Sequence, residues 1–292
     1  MTVLFIGVVS HPASRFAEST GADGLAQQIA SGMRAAGIDT TVEVNALNAY
    51  DPSVLPIDGR VIARSLHEQL RVEHQWRVFL QQGTRPMAGL REFGSHAVRR
   101  FREWRRFIRP WHSADRDSPG SRLIRRLVNI ELSHFGLMRQ SVAAESQWTL
   151  ILEDDAASEQ LDDCIKGLIG LMNNGPRQPS YVNVSQSFSI AELGIDHLMS
   201  QAPSAWQGAQ SREVLSSNRP VTNTVCAILY RTSFVGQMLA VVETMPLDPV
   251  IPIDWKINIA LMRMFENGKL IAGDCWTVSP APIDQLSMIP QR

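Results

Sequence analysis

"WTLILEDDAAS", residues 148–158, is an apolar run that ends abruptly in three consecutive acids. Trp148, Thr149, Leu150, Ile151 and Leu152 read as a short buried strand, and Glu153, Asp154 and Asp155 stand where that strand leaves its sheet. A short apolar, partly β-branched segment of this kind, set between helical stretches, is the signature of an α/β protein. Three neighbouring carboxylates repel one another, so water, a helix N-terminus, basic side chains or a metal ion must compensate them.

The rest of the chain bounds the answer. At 292 residues it is long enough to bury a large core, and its 44% apolar and 20% charged content is ordinary for a folded protein. A formal net charge of -1 points to no polyanionic partner for the chain as a whole, and no nucleic-acid partner is expected. Cys164, Cys226 and Cys275 are scattered, odd in number and without CxxC spacing, which fits buried thiols in a reducing compartment and argues against a disulfide framework or a zinc site. The opening "MTVLFIGVVSHPASRF" has no basic region before its short apolar stretch, and no later stretch is long enough to span a bilayer. A cytoplasmic location is expected.

Val3–Val9 reads as a buried strand that breaks at Ser10-His11-Pro12. Leu25, Ile29, Met33 and Ala36 recur at helical spacing up to a stop at Gly37, and "TTVEV" follows as a second strand, so the chain opens as a βαβ unit. From about Arg60 to Arg126 the period is helical and the composition changes. Between Arg85 and Arg126 twelve Arg and no Lys face four acids, a local excess of eight positive charges. Residues 129–146 read as a further helix, and another is predicted from about Ser158 to Met172. "SYVNVS" (180–185) and "TVCAILYR" (224–231) read as strands, the second leading into a helix over Phe234–Thr244. "PIDWKINIALMRMFENG" (252–268) reads as a capped helix ending at Gly268. One domain over residues 1–292, with a helical insertion at about 60–126, is the economical organisation.

The acids admit three readings. Acids suit the cap and first turn of a helix, and a helix is predicted just after them. A response-regulator receiver, whose acids hold magnesium beside a phosphorylated Asp, needs that Asp at the end of a later apolar strand; "SYVNVSQSF" contains none, and the reading fails there. The third is ligand binding. Open α/β sheets bind ligands beyond the carboxyl ends of their strands, and hard oxygen donors there suit Mg²⁺ or Mn²⁺ completed by substrate phosphates.

"NIELSHFGLMRQSVAAESQWTLILEDDA", residues 129–156, resembles the core of glycosyltransferase family 25, the lipopolysaccharide-type glycosyltransferases. Glu131, Ser133, His134 and Glu153-Asp154-Asp155 fall on that family's pattern of an acid, Ser-His, a helix and a strand ending in Leu-Glu-Asp-Asp. "VCAILYRTSFVGQML" and "PIDW" resemble its later strand and loop. The family's glycine and cysteine before Ser-His are replaced here, with Asn129 and Leu132 near those places, so neither donor sugar nor acceptor follows from the likeness. The resemblance implies a GT-A-like (Rossmann-like) fold, a mostly parallel sheet flanked by helices. It also implies a metal-dependent, inverting transfer of a sugar from a nucleotide-sugar donor to a glycan or glycolipid hydroxyl.

Within that expectation Glu153 and Asp155 are the metal ligands, with Mn²⁺ or Mg²⁺ as cofactor. Asp154, with His11, Ser14 and Arg15 after the first strand, faces the donor nucleotide. Asp254 is the candidate base, against the alternative that it caps its helix. His134 is expected to be a hydrogen-bonded structural residue. Asn183, Ser185 and Gln186 face the acceptor, and Asp274, Asp284 and Gln285 lie near the C-terminal strand where the fold closes over the diphosphate. The Arg-rich segment with Trp76, Trp104 and Trp111 suits either a solvated helical surface or a peripheral contact with the inner face of a membrane. A nucleotidyltransferase, and a non-catalytic fold used as a binding module, are the rival readings.

Overall fold

The computed structural model describes residues 2–10, 22–46, 57, 59–81, 119–173, 178–185, 189–222 and 224–288. His11, Ser14, Arg15, Gln186 and residues 82–118, which carry most of the Arg-rich segment, lie outside the described residues.

The chain opens with β1 (Val3–Ser10), α1 (Ala22–Ala35) and β2 (Asp39–Ala46). β1 and β2 pair in parallel, as the βαβ reading requires. Gly37 turns the chain out of α1 at a φ of 80°, a conformation that glycine adopts without a Cβ clash. Next come α2 (Gly59–Gln81), α3 (Pro119–Ala143) and the acid-bearing strand β3 (Trp148–Glu153). The second half carries β4 (Ala156–Ala157), α4 (Leu161–Asn173), β5 (Tyr181–Asn183), the short α5 (Ile190–Leu193), β6 (Met199–Gln201), β7 (Glu213–Ser217), β8 (Ala227–Arg231), α6 (Thr232–Val242), α7 (Ile253–Glu266), β9 (Cys275–Ser279) and β10 (Asp284–Gln285).

Eight strands form one sheet in the order β2-β1-β3-β8-β5-β9-β7-β6, while β4 and β10 make a separate two-stranded ribbon. β3 lies near the middle, parallel to β1 on one side and antiparallel to β8 on the other. The sheet is mixed, which corrects the expectation of a mostly parallel one. β8 runs against both its neighbours, and β7 runs against both β9 and β6. β6 and β7 are short and polar enough that the sequence shows no strand there.

Both faces of the sheet are covered, which is why β1 and β3 read as continuous apolar runs rather than alternating ones. Leu4, Ile6, Val8, Leu150 and Leu152 pack under α1 and α4 through Ile29, Met33, Leu168 and Leu171. Phe5 and Ile151 point the other way, against Leu137 and Met138 of α3, Met238 of α6 and Leu261 of α7. Each such side chain contributes roughly 1.5–3 kcal/mol when fully buried. At Gly7 a Cβ would stand 2.9 Å from Ile151 Cδ1 and 3.1 Å from Leu137 Cβ, so α3 sits close to β1 because that residue has no side chain.

Two element boundaries differ from the sequence reading and bear on the site. α3 begins at Pro119, so Arg122, Arg125 and Arg126 belong to the same helix as Glu131 and His134, and the insertion does not end before that helix. α4 begins at Leu161, three residues later than predicted, because residues 156–157 leave the acids as a strand that pairs with β10.

That pairing depends on a buried hub. Asp163 accepts hydrogen bonds from Arg212 Nε at 3.0 Å, Gln210 N at 2.8 Å and Trp206 Nε1 at 3.2 Å. Burial pushes the Asp163 carboxyl up, but these donors outweigh it and hold it below the usual range. Arg212 also reaches the carbonyls of Pro280 and Ala281 at 2.8 and 2.9 Å, tying the C-terminal segment down just before β10. Arg212→Met should cost about 3–5 kcal/mol in urea unfolding, because Asp163 is left buried without its charge partner. With a depressed carboxyl, the wild-type advantage should be full at neutral pH and shrink as the pH falls through the Asp163 range. Limited proteolysis should cut the variant first between 280 and 288.

Candidate functional site

Glu153 is the last residue of β3, and Asp154 and Asp155 form the turn after it. The helix-cap reading of these acids does not survive. The next helix starts six residues beyond Asp155, and the acids of its first turn are Asp162 and Asp163. Two bonds fix the acidic turn. Glu153 N donates to Cys226 O at 2.8 Å, extending the β3–β8 ladder by one residue, and Leu286 N donates to Asp155 O at 2.9 Å as the chain returns from β10. The turn is therefore clamped between β8 and the C-terminal segment.

Three potential donors converge there. A carboxylate oxygen of Glu153, one of Asp155 and Cys226 Sγ all lie within 4.8 Å of one another. Cys226 Sγ approaches Asp155 Oδ1 at 3.7 Å. Asp155 is only 6% exposed, yet the Cys226 thiol is the one side-chain donor that reaches its carboxylate among the described residues. No Lys or Arg pairs with Glu153 or Asp155 among the described residues. Glu153 receives His134 Nε2 at 3.2 Å instead. Of the four ways to compensate such acids, a helix N-terminus and basic side chains are thus ruled out for Asp155 within the described residues. Two hard carboxylates with a third donor fit a divalent cation, and the Glu153 side chain, 17% exposed, leaves a path for further oxygen ligands.

His134 sits one turn after Glu131 on α3 and is 1% exposed. Its contact with Glu153 makes it an orienting residue for that carboxylate, in keeping with the structural role expected for it. Its Nδ1 has no partner among the described residues.

Asp254 comes to the same place from the far end of the chain. It lies in the first turn of α7, but Pro252 occupies the cap position and no side-chain capping bond forms, so Asp254 is not the N-cap. Its carboxyl is raised to about 6, chiefly by burial. Backbone amides of the first turn and His134 draw it down, while the nearby charge of Glu153 pushes it further up. Glu153, His134 and Asp254 thus form one electrostatic unit.

α7 is held by two buried polar contacts that the sequence does not announce. Lys256 Nζ meets Glu131 of α3 at 2.5 Å, both side chains almost fully buried, and burial raises the Glu131 carboxyl against the pull of that lysine. Asn258 clasps the backbone of Thr222, accepting from its N at 3.1 Å and donating to its O at 3.3 Å.

Other candidates divide. Asp154 is half-buried in the acidic turn. Ser185 is 0% exposed and its hydroxyl serves β8, accepting from Ala227 N at 2.8 Å and donating to Ala227 O at 3.3 Å. A closed-off hydroxyl of this kind supports the sheet, which corrects the expectation that it faces an acceptor. Asp274 holds a turn through Ile271 N. Gln285 is half-buried and accepts from Thr224 Oγ1 at 3.3 Å, and Thr224 in turn supports Cys226 N at 3.2 Å. Gln285 and Thr224 therefore belong to the rim of the acidic turn. Cys226 gave no signal in the sequence, because a cysteine at the head of an apolar strand reads as core. A separate cavity of about 480 Å³ lies between α2, α7 and the 245–251 loop; it touches Lys256 but none of the clustered acids.

No family model matches this chain, and no curated protein matches it in sequence.

If Asp155 is present to hold a cation, removing its charge should not harm the fold. Asp155→Asn should leave the metal-free protein as stable as wild type or up to about 1 kcal/mol more stable, since a buried carboxylate without a charge partner is costly. Thermal shift should show Mn²⁺ raising the wild-type Tm in a concentration-dependent way and leaving the variant unmoved. A variant that loses stability yet keeps its Mn²⁺ response would make Asp155 structural.

Proposed function

We propose that the protein is a metal-dependent glycosyltransferase of GT-A type, moving a sugar from a nucleotide-sugar donor to a hydroxyl of a glycan or glycolipid acceptor. The observation that carries the reading is the meeting of Glu153 and Asp155, at the end of a central strand, with Asp254, a carboxylate raised to about 6. The likeness of residues 129–156 to glycosyltransferase family 25 supports it, as does a βαβ start leading into a mixed sheet whose acids lie beyond a strand's carboxyl end.

Glu153 and Asp155 would hold the cation, with His134 keeping the Glu153 carboxylate in position. When bound, a divalent cation supplies positive charge that stabilises a departing nucleoside diphosphate. Asp254 takes the acceptor hydroxyl proton. The freed oxygen forms its bond to the anomeric carbon of the donor, and the bond from that carbon to the diphosphate breaks, its electron pair leaving with the phosphate. A single displacement of this kind inverts the anomeric centre. A base that titrates at about 6 is ionised at neutral pH while remaining more basic than an ordinary carboxylate. The clamps from Lys256 and Asn258 keep α7, and with it Asp254, at a fixed distance from the acidic turn.

Release of a nucleoside diphosphate from a panel of nucleotide sugars with Mn²⁺ tests the activity; release of pyrophosphate would assign a nucleotidyltransferase instead. Wild-type kcat/KM should fall about tenfold per pH unit on the acid side as the base protonates, with the break below 6 because a cation on Glu153 offsets the charge that helps raise Asp254. Asp254→Asn should lose ~10²–10⁴-fold in rate and the acid limb with it. The same variant should be more stable than wild type. Burial raises the Asp254 carboxyl above its unfolded value of about 4, so its ionisation in the fold costs stability at pH 7 and not below pH 4. A gain on the order of 1–2 kcal/mol at pH 7 to 8, vanishing in acid, is expected in urea unfolding. Activity within a few-fold of wild type would remove Asp254 as the base.

A further inference from the structure

We propose that Cys226 is the third protein donor of the metal site and makes it select a thiophilic divalent cation, of the Zn²⁺ or Co²⁺ kind, over Mg²⁺. The proposal deepens the metal reading above and rests on it.

Cys226 stands just before β8, directly across from Glu153, whose N–H it accepts at 2.8 Å. Its own N–H is held by Thr224 Oγ1 at 3.2 Å. With both backbone groups fixed, only rotation about its Cα–Cβ bond can move the sulfur, and the sulfur faces Asp155 Oδ1 at 3.7 Å. Around one tetrahedral cation, bonds of about 2.3 Å to sulfur and 2.0–2.2 Å to oxygen set sulfur and oxygen about 3.6 Å apart and two oxygens about 3.4 Å apart, and Cys226 Sγ already stands 3.7 Å from Asp155 Oδ1. All three donor atoms lie within 4.8 Å of one another, so side-chain rotations that move a donor by about an ångström close the set.

A buried cysteine is often only a small apolar filler. That account covers the sulfur, which is 0% exposed, but not its neighbour. Asp155 is a carboxylate, 6% exposed, and among the described residues its sole side-chain donor is a thiol, a weak one. A cation between sulfur and carboxylate satisfies both. As the metal–sulfur bond forms, the thiol proton leaves to solvent. Thiolate ligation favours softer cations, whereas Mg²⁺ takes oxygen donors only, so the cysteine sets the selectivity of a site whose other two ligands are indifferent to it.

Titration of the full chain with Co²⁺ tests this directly. Wild type should develop a near-ultraviolet sulfur-to-cobalt charge-transfer band that saturates with one equivalent. Cys226→Ser should lose the band and bind Co²⁺ and Zn²⁺ at least tenfold more weakly while its Mg²⁺ affinity stays unchanged, and Asp155→Asn should also lose the band. Metal binding without the band, equal in wild type and Cys226→Ser, overturns the sulfur ligand and leaves the carboxylate site standing. Absence of any divalent-cation binding by wild type overturns both. Should Cys226→Ser fail to fold, the Cys164→Ser/Cys275→Ser double variant decides, since its band can come from Cys226 alone; no band there refutes the proposal.

Discussion

The antiparallel lock between β3 and β8 is the constraint on which the rest of the molecule depends. β3 is parallel to β1, so its carboxyl end points the same way as that of the opening βαβ unit. β8 runs the other way, so its beginning lies beside the end of β3. One hydrogen bond past the last paired residues, Glu153 N to Cys226 O, places an acidic turn against a thiol. A parallel partner would have brought the far end of β8 there, with Arg231 in place of Cys226, and the acids would have met a guanidinium.

Everything else at the site is support arriving from a distance. α3 contributes His134 to Glu153 and Glu131 to Lys256, two side chains one turn apart that reach β3 and α7 respectively. Lys256 and Asn258 fix α7, and its first turn delivers Asp254. Arg212 fastens residues 280–281, so that β10 lies along β4 and Leu286 closes the acidic turn. Several of these contacts are buried and polar, and removing one partner of such a contact costs more than the contact adds. That makes the frame rigid around carboxylates that would otherwise repel.

The energetic conflict at the centre is itself informative. Asp155 is buried with a thiol as its only side-chain donor among the described residues, and Asp254 is raised by burial and by the charge of Glu153. The raised Asp254 carboxyl lowers stability at neutral pH. Buried and perturbed carboxylates of this kind concentrate at functional sites.

The sequence by itself determined the strand of residues 148–153, the acids at its end, the parallel β1–β2 start and the helix that carries Asp254, because each is written in local periodicity and local turn chemistry. It could not determine the direction of β8, since an apolar strand reads the same in either sense, nor the short polar strands β6 and β7. It placed a helix directly after the acids, whereas β4 intervenes because β10, more than a hundred residues later, offers it a partner. It set Ser185 facing an acceptor, although its hydroxyl is buried against the Ala227 backbone and the Cys226 thiol. It set Cys226 aside as a buried thiol and assigned Lys256 no role. Only the tertiary structure, by bringing strand ends and helix starts together in space, decided that Glu153, Asp155, Cys226, His134 and Asp254 share one site, for contact between residues far apart in the chain leaves no mark on local periodicity.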